Sequence, residues 1–142
     1  MYCIEKLNMN KSSACKYFNE SAYSYGATEE FLISSGLQLL SNHLEYTDPG
    51  KKNNLLDIAC GTGLMLKLFH MAEFTDLYGV DGSIEMLDYC KFDVRNFTPP
   101  ENLYLHDFEN GAFRIEERKF NHVTMHSAIN YLPDLDILFK NI

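Results

Sequence analysis

The spacing of apolar residues changes character about a third of the way along the chain. Residues 12 to 46 read as two helices with a break around Tyr25-Gly26. The second carries Phe31, Leu32, Leu37, Leu39, Leu40 and Leu44, with Thr28 ahead of Glu29 and Glu30 as its start. Asp48-Pro49-Gly50 is a turn. Beyond it, short apolar runs alternate with helical spacing. Strands are predicted over 54–58, 76–80, 103–106 and 120–125, with helices over 64–71 and 83–91 and a helical segment after Ser127 interrupted by Pro133. Ser83 is positioned as an N-cap, and Ile84, Leu87 and Lys91 fall three or four apart behind it. Strand and helix in alternation predict an α/β fold: a Rossmann-like, doubly wound parallel sheet under an N-terminal helical cap. The cap is assigned to residues 1–50 and the core to 51–142, as one structural unit.

At 142 residues the chain is one domain of ordinary size, with 46% hydrophobic and 23% charged residues. A net charge of -8 with scattered basic residues argues against nucleic acid and anionic membrane as partners. The cysteines Cys3, Cys15, Cys60 and Cys90 have neither C-x-x-C spacing nor the density of a disulfide framework. Cys60 and Cys90 are expected to be small packing residues. With no spanning-length apolar run and no basic-then-apolar leader, the expected location is the cytoplasm.

Chemistry concentrates where the first strand, Leu55 to Ile58, runs into Ala59-Cys60-Gly61-Thr62-Gly63. The second strand ends on Asp81, 18 residues beyond Gly63. A glycine turn after one strand and an acid after the next form the nucleoside-binding edge of a doubly wound sheet. Two residues select among nucleoside cofactors. Leu66 stands where the third glycine of a dinucleotide turn belongs, and Asp57 precedes the turn. An acid there opposes a pyrophosphate and suits an ammonium or sulfonium group. A nicotinamide-dependent reductase is therefore disfavoured. Ala59 replaces a glycine at low cost provided its φ is negative, which is the expectation.

The motifs in order resemble those of class I S-adenosylmethionine-dependent methyltransferases of the small-molecule type. Asp57-Ile58-Ala59-Cys60-Gly61-Thr62-Gly63 resembles that family's acid-and-glycine first motif, with Ala59 where glycine is usual. Leu77 to Ser83 with Met86-Leu87 resembles the second, whose acid binds the ribose hydroxyls. His106-Asp107-Phe108 resembles the third, which contacts adenine. The segment 120–127 resembles the fourth strand, though Asn121 departs from the usual Phe-Asp start. Phe18, Ala22 and Tyr25 resemble a leader helix that folds over the cofactor. The resemblance implies S-adenosyl-L-methionine as cofactor, bound by Tyr25, Asp57, Ala59, Cys60, Gly61, Asp81, Gly82, Met86, Asp107, Phe108 and His126, and implies no metal.

The implied activity is methyl transfer to a small-molecule acceptor, and the alternative is a cofactor-binding module or partner subunit without turnover. The ligand is expected between the first and fourth strands, where strand order reverses, with Met125, His126 and Ser127 on one lip and Asn130 and Tyr131 just beyond. His126 is the strong titratable candidate at the reacting end, yet alignment alone can carry methyl transfer to a good nucleophile, so no catalytic residue is assigned. His43 and His70 are expected on surface or groove positions. The resemblance stops one short helix after the fourth strand, about three strands early. The apolar edge this leaves predicts either a piece of a longer methyltransferase or an edge covered by a second copy or a partner chain.

Overall fold

The computed structural model describes residues 13–25, 29–110 and 118–129 and the single positions 113, 115 and 136. Thr28, Asn130, Tyr131 and the segment around Pro133 lie outside the described residues. Two helices lead, α1 (Ser13–Tyr25) and α2 (Glu29–Glu45), followed by β1 (Asn53–Ile58), α3 (Leu64–Met71), β2 (Thr75–Asp81), α4 (Ile84–Val94), β3 (Leu103–Leu105) and β4 (His122–Met125). The strands form a parallel sheet in the order β3-β2-β1-β4. The chain thus winds outward one way through β2 and β3, then returns to the other side of β1. The reversal lies between β1 and β4, as expected.

β1 is buried along most of its length because both of its edges are paired and both faces are covered. Leu55 pairs with Leu77 and His122, and Ile58 with Val80 and Met125. One face meets α3 and α4 through Leu55, Leu77, Leu66, Phe69, Leu87, Cys90 and Val94, with Leu39, Leu40 and Leu44 of α2 packed against them. The other face buries Leu56, Ile58, Tyr78 and Val80 against Phe113, with Phe108, Ile115 and Phe120 alongside. Alternate residues of β1 thus serve opposite cores, as the period of two requires.

Local chemistry sets the element ends. The Ser83 side chain accepts from Met86 N at 3.1 Å and caps α4, as its position predicts. Gly63 adopts φ 92° ahead of α3, and a Cβ there would stand 2.9 Å from Cys90 Sγ and from Val94, so both its conformation and α4 demand glycine. Leu66, fully buried, fills the space where a third glycine would let a helix approach its strand more closely. Asn121 donates from its backbone to Asn54 O at 3.0 Å and from its side chain to Asn53 Oδ1 at 2.8 Å, which aligns β4 with β1 at the end remote from the glycine turn.

His43, expected at a surface or groove position, is half-buried where α2 meets the start of β4. Its ring sits edge-on to Phe69, with centroids 5.1 Å apart, and its Nε2 lies 3.0 Å from His122 Nδ1. His122 Nε2 in turn donates to Lys51 O at 2.6 Å. The two imidazoles tie α2 to the start of β4. His70 is exposed and stacks on Phe97, with ring centroids 4.1 Å apart.

Candidate functional site

At the carboxyl end of β1 the chain rises out of the sheet and turns back into α3. Cys60 N donates to Val80 O at 3.1 Å, and Gly63 N donates to Cys60 O at 2.9 Å to close the turn. Gly61 has φ 54°, with nothing within 4 Å of where a Cβ would stand. Its backbone conformation therefore favours glycine, and the space above it is open. Ala59 also has a positive φ, of 54°, contrary to the negative value expected from its lack of a glycine. The strain, about 1 kcal/mol for an L-residue, is imposed where the chain leaves β1 while Cys60 is held to β2. Across the reversal point Ser127 likewise has φ 57°, just beyond β4. Both lips of the switch point thus carry a non-glycine residue in the left-handed region.

Two carboxylates stand below this turn. Asp81 is buried, and its oxygens accept from Gly61 N and Ser83 N, each at 2.8 Å. The end of β2 therefore holds the glycine turn and the start of α4 together. Burial pushes the Asp81 carboxyl up, against the opposing effect of the N–H groups of Ser83, Gly61 and Gly82. Asp57 is 1% exposed and accepts from Thr124 Oγ1 of β4 at 3.0 Å. Burial pushes its carboxyl up to about 8, with the Thr124 bond opposing and the Asp81 charge adding. No cationic side chain pairs with Asp57 among the described residues. Its surroundings favour the neutral acid.

A cleft of about 640 Å³, its open mouth included, crosses the carboxyl ends of the strands beneath α1. It gathers Tyr25, Ala59, Gly61, Asp81, Gly82, Met86, Asp107, Phe108 and His126 from the predicted set. Asp57 and Cys60 line a second, adjoining cavity of about 350 Å³, which shares Tyr25, Ala59, Gly61 and His126 with the first. Cys60 contributes through the turn, because its thiol is buried in the core cluster, where its hydrogen bond with Cys90 and then burial push it up. Cys60 and Cys90 are thus packing residues, as expected. Asp107 does double duty, since its Oδ1 also accepts from Glu109 N at 3.1 Å and opens the short helical turn that carries Phe108.

Sequence reasoning missed the contribution of α1 beyond Phe18 and Tyr25. Ala14 and Cys15 line the cleft, and a Cβ on Gly82 would collide with Cys15 Sγ. Asn19 Oδ1 accepts from Ser83 Oγ at 2.7 Å, tying α1 to the cap of α4. Helical spacing within α1 carries no sign of this approach. The one local signal is Gly82, small where α1 must come close.

A family model described as a methyltransferase domain matches residues 55–142. No curated protein matches the chain. Among solved structures, Streptomyces venezuelae DesVI is 26% identical at a TM-score of 0.58, over 81% of this chain and 46% of that one. An S-adenosylmethionine-dependent methyltransferase from Clostridium acetobutylicum is also 26% identical, at a TM-score of 0.57, over 87% of this chain and 50% of that one. A Methanococcus maripaludis protein shares the fold at a TM-score of 0.67 and 15% identity, over 94% of this chain and 60% of that one. The chain spans about half the length of these structures. Its matched residues begin within β1 and take in the glycine turn and every later strand, and its parallel sheet reverses order at that turn. The chain belongs to the methyltransferase-domain family and has the class I S-adenosylmethionine-dependent methyltransferase fold.

Proposed function

We propose that this chain binds S-adenosylmethionine across the β1–β4 reversal and takes part in methyl transfer to a small-molecule acceptor. The observation that carries the reading is the pair of buried acids, Asp57 and Asp81, beside an open glycine turn. A pyrophosphate would bring two further negative charges against them, whereas a cationic cofactor favours the ionised form of both acids, neither of which has a cationic partner among the described residues. The residues present therefore fit a phosphate-free, positively charged nucleoside. When bound, S-adenosylmethionine supplies an electrophilic methyl group on a sulfonium.

In this reading each wall of the cleft has its own task. Asp81, already fixed by Gly61 N and Ser83 N, offers its remaining lone pairs to the ribose hydroxyls. Asp107, Phe108 and Met86 enclose the base, while Asp57 faces the ammonium of the methionyl group through the adjoining cavity. Tyr25 and Phe18 close over the top from α1. A small acceptor is inferred from the cleft itself, which α1 roofs through Ala14, Cys15, Phe18 and Tyr25.

Calorimetric titration with S-adenosylmethionine, S-adenosylhomocysteine and NAD tests the cofactor. Binding of the first two without NAD is expected, and binding of NAD alone would overturn it. Methyl-labelled cofactor incubated with a metabolite extract tests transfer. Label in a small molecule is expected. Tight binding with no transfer would instead make the chain a cofactor-holding module.

A further inference from the structure

We propose that Ser35 is a positioning residue that fixes His126 with its proton on Nε2, so that the bare Nδ1 takes up a proton from the methyl acceptor. This rests on the methyl-transfer reading above. His126 follows the last residue of β4, one position beyond the Ile58–Met125 pair, and so stands opposite the strained Ala59. It is among the few residues that line both the main cleft and the adjoining cavity containing Asp57. It therefore sits where a cofactor spanning the two would present its reacting centre.

The hydrogen bonds decide the tautomer. Ser35 is on α2, and its hydroxyl donates to Leu32 O at 3.0 Å, one turn back. That hydroxyl has one proton, so towards the ring it can only accept. With that proton placed on Leu32 O, we assign His126 Nε2, 2.8 Å from Ser35 Oγ and 3.4 Å from Ser127 Oγ, as the donor to Ser35. Nδ1 then carries the lone pair, and it has no partner among the described residues. Burial lowers the pKa of His126, which keeps the ring neutral and able to accept. The left-handed turn at Ser127, φ 57°, ends the strand at once and leaves the ring at the cleft rather than in the sheet.

The proton balance is simple. An acceptor amine or hydroxyl uses a lone pair to form the bond to the methyl carbon, and the carbon–sulfur bond breaks with its electron pair going to sulfur. The proton on the acceptor nitrogen or oxygen passes to Nδ1 and from there to water. No oxidant or further reactant is needed.

Long-range nitrogen–proton NMR of the free protein, with His126 assigned by its loss in His126→Asn, reads the tautomer without any turnover. The expected result is Nδ1 unprotonated and Nε2 protonated in the wild type, a mixed population in Ser35→Ala, and recovery in Ser35→Thr. A ring protonated on Nδ1, or a population unchanged in Ser35→Ala, overturns the assignment. With the acceptor found by the labelled-methyl screen, kcat of His126→Asn should fall about 100-fold, with the KM for S-adenosylmethionine changed little. Ser35→Ala should lower kcat about 10-fold, and Ser35→Thr should restore it. Wild-type transfer undiminished in His126→Asn sinks the proton role alone. Absence of transfer in the wild type sinks the methyl-transfer reading, and the proton role with it.

Discussion

Asp57 sets two opposing demands on one side chain. With a folded-state value of about 8 against an ordinary 3.8, it holds a proton in the folded free protein that the unfolded chain releases. The folded state binds more protons across that interval, so this group's contribution to stability falls as pH rises from about 4 to 8. Asp57→Asn keeps the Thr124 hydrogen bond without the titration. It is expected to raise the stability of the free protein at pH 8 by at least about 1 kcal/mol in urea unfolding, while weakening S-adenosylmethionine. The wild-type affinity for that cation should rise with pH between 6 and 7.5, as the acid becomes easier to ionise. A pH-independent affinity would remove Asp57 from the cofactor. Ala59 provides a second, simpler test. Relief of its positive φ offsets or slightly outweighs the added chain entropy of glycine, so Ala59→Gly should stabilise by up to about 0.5 kcal/mol. A loss of stability would mean that its methyl group packs usefully. The identity of this position as a turn residue was legible in the sequence. The sign of its φ was not, because it depends on the attachment of Cys60 N to β2.

Elements were legible in proportion to how local their causes are. The bounds of α3 follow from Gly63 and the apolar spacing behind it, and α4 starts where Ser83 predicts. The strands came out within a residue or two because alternation from β1 outward serves two cores. The resemblance implied a helix over the cleft, but the contacts that seat α1 and α2 were not legible, since Asn19–Ser83, Ser35–His126 and His43–His122 all join residues more than 60 positions apart. The last of these makes α2 pH-sensitive. Burial, then the neighbouring His122, lowers the pKa of His43. A histidine depressed in the folded state lends stability above about 6.5 that is lost as pH falls through its folded value. Between pH 7.5 and 5 this contribution opposes that of Asp57, so the Tm of His43→Phe, with its ring set among Phe69 and Phe74, should rise relative to the wild type as the pH falls. An identical slope in both proteins would exclude His43 as a source. His126, lowered by burial, contributes with the same sign as His43.

At the scale of the whole molecule, the cleft is a seam between bodies of unequal anchorage. Its floor is the centre of the sheet, where β1 is paired on both sides, whereas its roof is α1, held chiefly against α4 and the loop before it. The Asn19–Ser83 bond and the Cys15–Gly82 approach are fixed points of that roof, and both adjoin Asp81. A nucleoside in the cleft would touch floor and roof together, so its binding energy should be read most strongly where intrinsic stability is least. Amide exchange of residues 13–25 is thus expected to slow about 10-fold or more with saturating S-adenosylhomocysteine. The amides of β1 and β2, already protected by pairing on both faces of a covered sheet, should change less. Asn19→Ala, which removes the acceptor of Ser83 Oγ but leaves the sheet intact, should speed exchange of α1 in the free protein and lower cofactor affinity several-fold. Its effect on methyl transfer, once the acceptor is known, should then vanish at saturating cofactor. Protection of the glycine turn with no change in α1 would place the ligand on the floor alone, and would remove Phe18 and Tyr25 from the binding site.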